Sequence, residues 1–135
     1  MFYSIAKIAI LIITFSLLRE PFSFAEEGRL ILVKAEICED LRQNQCVFPN
    51  RIVSISVGKI FCYSSFSGIT KATNIYHKWY QRDQLSATFV LKLKPPSYST
   101  ASSIQLRDTD KGPWRIEIVD QSGHIYSTLR FSVVD

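Results

Sequence analysis

This chain of 135 residues has little of what announces a chemistry: two histidines, three cysteines and five glycines, none in a pattern with a known catalytic use. There is no Gly-x-Ser-x-Gly elbow, no phosphate-cradling glycine loop and no His-Glu-x-x-His pair, so the common hydrolase, nucleotide and zinc-protease arrangements have no anchor. His77 and His124 stand among scattered carboxylates without ligand spacing, which argues against a metal site. Lys and Arg never gather beyond two in a short window, and the charge is interspersed, so a nucleic-acid surface is not indicated. Long apolar runs are scarce too. The longest, Ile8 to Leu18, is eleven residues, where a membrane span needs about 20. Extending it through Phe22 and Phe24 would bury Arg19 and Glu20.

What is there begins with that run. Lys7 and the amino terminus precede it, Arg19, Glu20 and Pro21 end it, and Ser23 and Ala25 offer small side chains before a cut. Residues 1–25 therefore read as a secretory signal peptide, with an uncleaved anchor as the alternative and no cysteine at the cut for a lipoprotein. The expected location is periplasmic or secreted. The remaining 26–135 is long enough for one domain with one modest core, and it carries fourteen basic and eleven acidic side chains.

Cysteine usage fits that address. Cys38 and Cys46 bracket the polar stretch Glu39–Gln45 and are expected to pair, stapling a loop. Cys62 lies in an apolar strand pattern and reads as a small buried hydrophobe. The rival pairing joins Cys62 to Cys38 or Cys46.

After Glu27 the pattern is almost entirely that of strands. Leu30–Ile37, Arg51–Val57, Lys59–Phe66, Ala72–Gln81, Leu85–Lys94, Trp114–Val119 and His124–Val134 alternate with period two. In the fifth of these Leu85, Ala87, Phe89, Leu91 and Leu93 share a face, and in the last Ile125, Leu129, Phe131 and Val133 do. Pro95-Pro96 stops a strand, Tyr98–Leu106 reads as a serine-rich edge, and Asp120–Gly123 as a turn. No useful helical period appears after the signal. Seven or eight short strands in about a hundred residues predict an all-β, immunoglobulin-like β-sandwich of about seven antiparallel strands, with a small β-barrel as the alternative.

Three stretches carry a resemblance: Val57–Cys62; Ile75-Tyr76-His77-Lys78-Trp79; and Gly112-Pro113-Trp114 through Asp120, followed by Gly123 and Phe131-Ser132-Val133. Together they resemble a bacterial family catalogued only as a domain of unknown function, with His-x-Trp, Gly-x-Trp and closing Phe-x-Val strands. The resemblance runs from about Val57 to Val133, dividing the domain into N-terminal strands (26–56) and a family-like core (57–135). It implies an extracytoplasmic β-rich module, often attached to membrane or envelope proteins, with no established activity. Where members carry a Trp-Arg pair before the serine-rich strand, this chain has Pro95-Pro96-Ser97-Tyr98-Ser99.

Candidate binding residues follow from strand parity. His77 and Trp79 share one face. They read either as a recognition patch for a sugar or peptide or, favoured on base rates for large aromatics, as sandwich core. Tyr76, Lys78 and Tyr80 face the other way as an amphipathic strip for a protein or glycan, which Tyr63 and Tyr126 extend if their strands lie beside it. The alternative is an ordinary solvated sheet face. Trp114 reads as core with Arg115 outward. A Cys62–His77 nucleophile pair would need an exposed thiol, so the chain is expected not to be an enzyme and no cofactor is implied. The expected function is a non-enzymatic binding or assembly module for an envelope protein or glycan. The alternatives are an envelope accessory subunit docking by edge-strand pairing through Tyr98–Leu106 or Leu30–Ile37, and a carbohydrate-recognition domain.

Overall fold

A computed structural model describes residues 29–135; the expected signal peptide and its cut lie outside the described residues. Nine strands follow one another: β1 (Ile31–Arg42), β2 (Gln45–Pro49), β3 (Ile52–Ser54), β4 (Lys59–Ser67), β5 (Thr73–Gln81), β6 (Gln84–Leu93), β7 (Tyr98–Gln105), β8 (Gly112–Asp120) and β9 (Ile125–Val134). They form a four-stranded sheet in the order β2-β1-β4-β7 and a five-stranded sheet in the order β3-β9-β8-β5-β6. Among the described residues both sheets end in unpaired edges, so the fold is a β-sandwich and not a closed barrel. Eight of the nine strands pair antiparallel as expected; β3 instead runs parallel to β9. The opening strand is thus divided between the sheets, β1 beside β4 and β3 beside the last strand, an immunoglobulin-like arrangement.

Four local expectations change, each for a definable reason. The polar stretch between Cys38 and Cys46 is not a loop. It is a hairpin whose two turn residues, Gln43 and Asn44, both take positive φ (51° and 56°), the geometry that matches strand twist. The Cys38–Cys46 disulfide lies across this hairpin, and Cys62 is free and buried, as expected. Arg51–Val57 does not continue as a strand, because Ser54 Oγ accepts the Ser56 N–H and Gly58 closes a short 3-10 turn at φ 79°. In β6, a shift in the β5 ladder between Trp79 and Tyr80 turns Leu85 away from Ala87, Phe89 and Leu91. In β9, a shift opposite Ile118 and Val119 turns Ile125 outward. Such bulges put an extra residue on one strand and break simple alternation.

The core lies between the layers and centres on Trp79 of β5, fully buried and edge-on to Phe89, Trp114 and Phe131. That is where a sandwich of this kind keeps its strand-C tryptophan. Cys62 of β4 lies in the same cluster. The segment Asp110-Lys111-Gly112-Pro113-Trp114-Arg115-Ile116 stands where immunoglobulin domains place the tyrosine corner and second cysteine. Here Trp114 Nε1 donates to the Asp110 carbonyl at 2.7 Å, making the same backward bond with an indole. Ile116 fills the cysteine position, so Cys62 has no partner across the sheets. The buried Asp110 carboxylate accepts from the Arg107 backbone N–H and guanidinium. Gly112, at φ 117°, leaves room for the Arg82 guanidinium, which a Cβ there would meet at 2.6 Å.

Candidate functional site

The expected site residues separate into an interior and an exterior set. His77 and Trp79 are both fully buried. Ser64 on β4 and Ser102 on β7 close on His77 from the opposite sheet, Ser64 Oγ to Nε2 at 2.8 Å and Ser102 Oγ to Nδ1 at 2.7 Å. Trp79 Nε1 donates to the same Ser102 oxygen at 2.9 Å. Three strands from two layers are therefore tied by one polar cluster, with each ring nitrogen bonded, as buried polar groups require. Burial pushes the His77 imidazole down to about 4, so it is neutral at ordinary pH. The Cys62 thiol is pushed up by the same burial, which holds it in the unreactive protonated form. The serine–histidine contact thus works as a clamp between sheets.

The exterior set lies on the outward face of the five-stranded sheet, and the ladders arrange it in rows that run across the strands. One row is Leu85, Tyr80, Arg115 and Arg130; the next is Thr88, Lys78, Glu117 and Thr128; the third is Val90, Tyr76, Val119 and Ile125. The third row is apolar from β6 through β9, with Val90 59% and Ile125 49% exposed at its ends. Tyr76 and Val119 form the floor of a shallow groove of about 360 Å³ that Leu85, Thr88 and Lys78 also line. In the first row Tyr80 and Arg115 are already in contact with each other. The Arg115 guanidinium lies 4.0 Å from the Tyr80 ring centroid, donates to Glu117 and contacts Asp83. One face of Tyr80 is therefore already covered by a cation.

Tyr76, Lys78 and Tyr80 do share one face, half-buried, but neither suggested extension joins them. Tyr63 is on β4 in the other sheet, buried, with its hydroxyl donating to Ser99. Tyr126 packs edge-on against Phe66 of the core and His124 and donates to Asp120. Tyr126 is turned inward because the ladder shift places Ile125, not its neighbour, on the outer face. Burial would raise the Asp120 carboxyl, but bonds from Ser122, His124 and Tyr126 outweigh it and hold the group below the usual range. Asp120 thus pins the β8–β9 turn beside the apolar row.

Comparison with known proteins finds a family model over part of the chain. Residues 72–133 match the family described as "protein of unknown function (DUF2914)". The resemblance read from the strand motifs is thereby borne out, though the match begins at residue 72 and not at Val57. The DUF2914 segment holds β5 to β8 whole and β9 to Val133, and so the entire Val90–Ile125 row, His77, Ser102 and both tryptophans. Ser64 and Cys62 lie outside it. No curated protein matches this chain. Among solved structures, the beta-D-glucoside glucohydrolase from Trichoderma reesei aligns with 79% of this chain and 19% of its own, at 13% identity and a TM-score of 0.41. At that score the likeness carries no functional argument.

Sequence reasoning put Ile125 on the inward parity and missed Ser64 and Ser102 as partners of His77, whereas Val90 and the buried Val119 fall on the outward parity that simple alternation gives them. Alternation could not reveal Ile125, because the β9 bulge reverses its parity. The serines carried a signal: Ser64 falls on the inward parity of an otherwise apolar strand and so demanded a buried polar partner.

Proposed function

We propose that this chain is a non-enzymatic binding or assembly module that recognises a protein partner on the outer face of its five-stranded sheet. The observation that carries the reading is the apolar row Val90–Tyr76–Val119–Ile125, which crosses four strands with exposed ends. Scattered exposed apolar residues need no explanation, but a contiguous row rimmed by charge suits a protein interface. The Lys78–Glu117 and Arg115–Asp83 neighbours supply such a rim. A sugar-binding platform is supported less well, since the Tyr80 ring that would stack a sugar is covered by Arg115. The non-enzymatic reading draws support from the sealed state of Cys62 and His77. The Cys38–Cys46 disulfide supports a place outside the cytoplasm, and among the described residues no helix is long and apolar enough to cross a membrane.

The test is a cross-linked pull-down from the native host with Tyr76→Ala combined with Ile125→Ser. Thermal unfolding should shift little, because Ile125 is exposed and Tyr76 is outside the core, while partner capture should be lost. Capture at the level of the unsubstituted chain would remove this face from consideration. Docking by an edge strand is a second reading, supported by two placements. Among the described residues β7 is an edge of the four-stranded sheet, and β1 before Cys38 ladders with β4 alone.

A further inference from the structure

Beyond that face, the sandwich has an edge whose chemistry is self-complementary. Among the described residues β6 ladders with β5 alone, so the backbone groups along its other side have no ladder partner there. Soluble proteins guard such edges with charge, proline, a bulge or brevity. β6 is ten residues long, contains no proline and has Lys92 as its single charge. Its one irregularity, opposite Trp79 and Tyr80, lies near the N-terminal end and leaves Ala87–Leu93 regular. The neighbouring edge on this side of the sandwich, β7, has no charged residue at all.

We propose that β6 pairs antiparallel with β6 of a second copy of this chain, about a two-fold axis at Val90, joining two five-stranded sheets into one. In that register Val90 stands opposite Val90, Phe89 opposite Leu91 and Ala87 opposite Leu93. On the outer face Thr88 meets Lys92, so the two lysines do not oppose each other. Every apolar residue meets an apolar residue, and the sole charge meets a hydroxyl. Half-buried Phe89 and Leu91 would each cover the other's exposed edge. A self-complementary patch closed by a two-fold axis is the commonest form of homodimer, and added strands gain affinity from the backbone ladder itself. The apolar row of each copy would also extend to a shared seam at Val90.

Sedimentation equilibrium of the purified chain over a concentration series tests this. The expected result is a reversible dimer, with amide exchange in 87–93 slowing as concentration rises. Val90→Lys, at an exposed position where folding is insensitive, places two ammonium groups face to face at the axis and should raise the dimer Kd about tenfold. Thr88→Glu places a carboxylate opposite Lys92 of the other copy and should lower it about threefold. A chain that stays monomeric to about 1 mM, the weak end of specific association, overturns the proposal. So does a dimer that Val90→Lys leaves unchanged or whose protected amides lie elsewhere. Tyr76→Ala with Ile125→Ser leaves the β6 edge intact, so loss of partner capture and loss of dimer report separately.

Discussion

The two sides of this sandwich are closed by opposite means. On one side the outermost strands are β2 and β3, five and three residues long. β2 ends at Pro49 after Phe48 takes positive φ, and ion pairs Lys34–Glu36 and Arg42–Asp40 flank it. A disulfide ties the hairpin, and Arg51 and Arg130 line the groove between the sheets. On the other side β6 and β7 run eight to ten residues with one charge between them. What holds that side is internal: Ser102 of β7 is bonded to His77 and Trp79 of β5, and the three are buried. One side is protected against strangers by short strands, proline and charge. The other is fixed within the molecule but leaves its backbone available, which is the property an assembly surface needs.

The largest expected effect comes from breaking the internal tie. Trp79→Ala empties the centre of the ring cluster and removes one donor from Ser102. Large-to-small changes of this kind cost about 3–5 kcal/mol, a large share of the roughly 5–15 kcal/mol that holds a domain folded. On the guarded side Phe48→Ala, at an exposed ring, should cost no more than about 0.5 kcal/mol. Urea midpoints of the two variants check the contrast. Similar shifts for both would mean that the tryptophan is not what ties the open side together.

Acid gives the next effect. The folded state holds His77 near 4 while the unfolded chain titrates at its ordinary 6.5. As pH falls, the unfolded state binds the proton first. Stability is therefore full above about 6.5 and declines as the pH drops toward 4, by an amount of order 3 kcal/mol. His77→Gln, measured beside the unsubstituted chain, separates this from carboxylates such as Asp120, which the fold holds below its usual range and which lose stability only at lower pH. The variant should be less stable at pH 7 but flatter between pH 6.5 and 4.5. Equal slopes would sink the account of a neutral clamp.

Much of this was legible in the sequence, and the failures have a common cause. Period-two alternation located β4, β5 and β8 closely, and the small cysteine loop gave the right pairing. The burial of Trp79 and His77 followed from aromatic size and strand parity. The surface was harder, because parity is a local count that one extra residue reverses. Leu85 and Ile125 both read as inward and both point outward, each just past a ladder shift. Parity accordingly placed Tyr76, Lys78 and Tyr80 together on one face of β5, whose register is regular to Trp79, but put Tyr126 of β9 outward where it faces inward. No short window of sequence contains the partner strand, so a cross-strand row such as Val90–Tyr76–Val119–Ile125 is visible only once the ladders are known.

A smaller effect than the acid one, and the sharpest on the difference between the sides, concerns the disulfide. Cys38 and Cys46 are eight residues apart, so the loop they close is short and the chain-entropy stabilisation is about 2–3 kcal/mol. The hairpin already brings its strands together through the Gln43-Asn44 turn and the β1–β2 ladder, so the denatured state loses less freedom than that figure assumes. Cys38→Ser with Cys46→Ser should therefore lower stability by no more than about 2 kcal/mol. Its consequence should be local: amides of β2 and of β1 beyond Cys38 should exchange faster, whereas those of β5 and β7, tied through Ser102, should keep their protection beyond the global change. Equal loss of protection on both sides would show that the disulfide and the buried clamp belong to one cooperative unit. The two sides would then differ in what they present to other chains and not in how they are held.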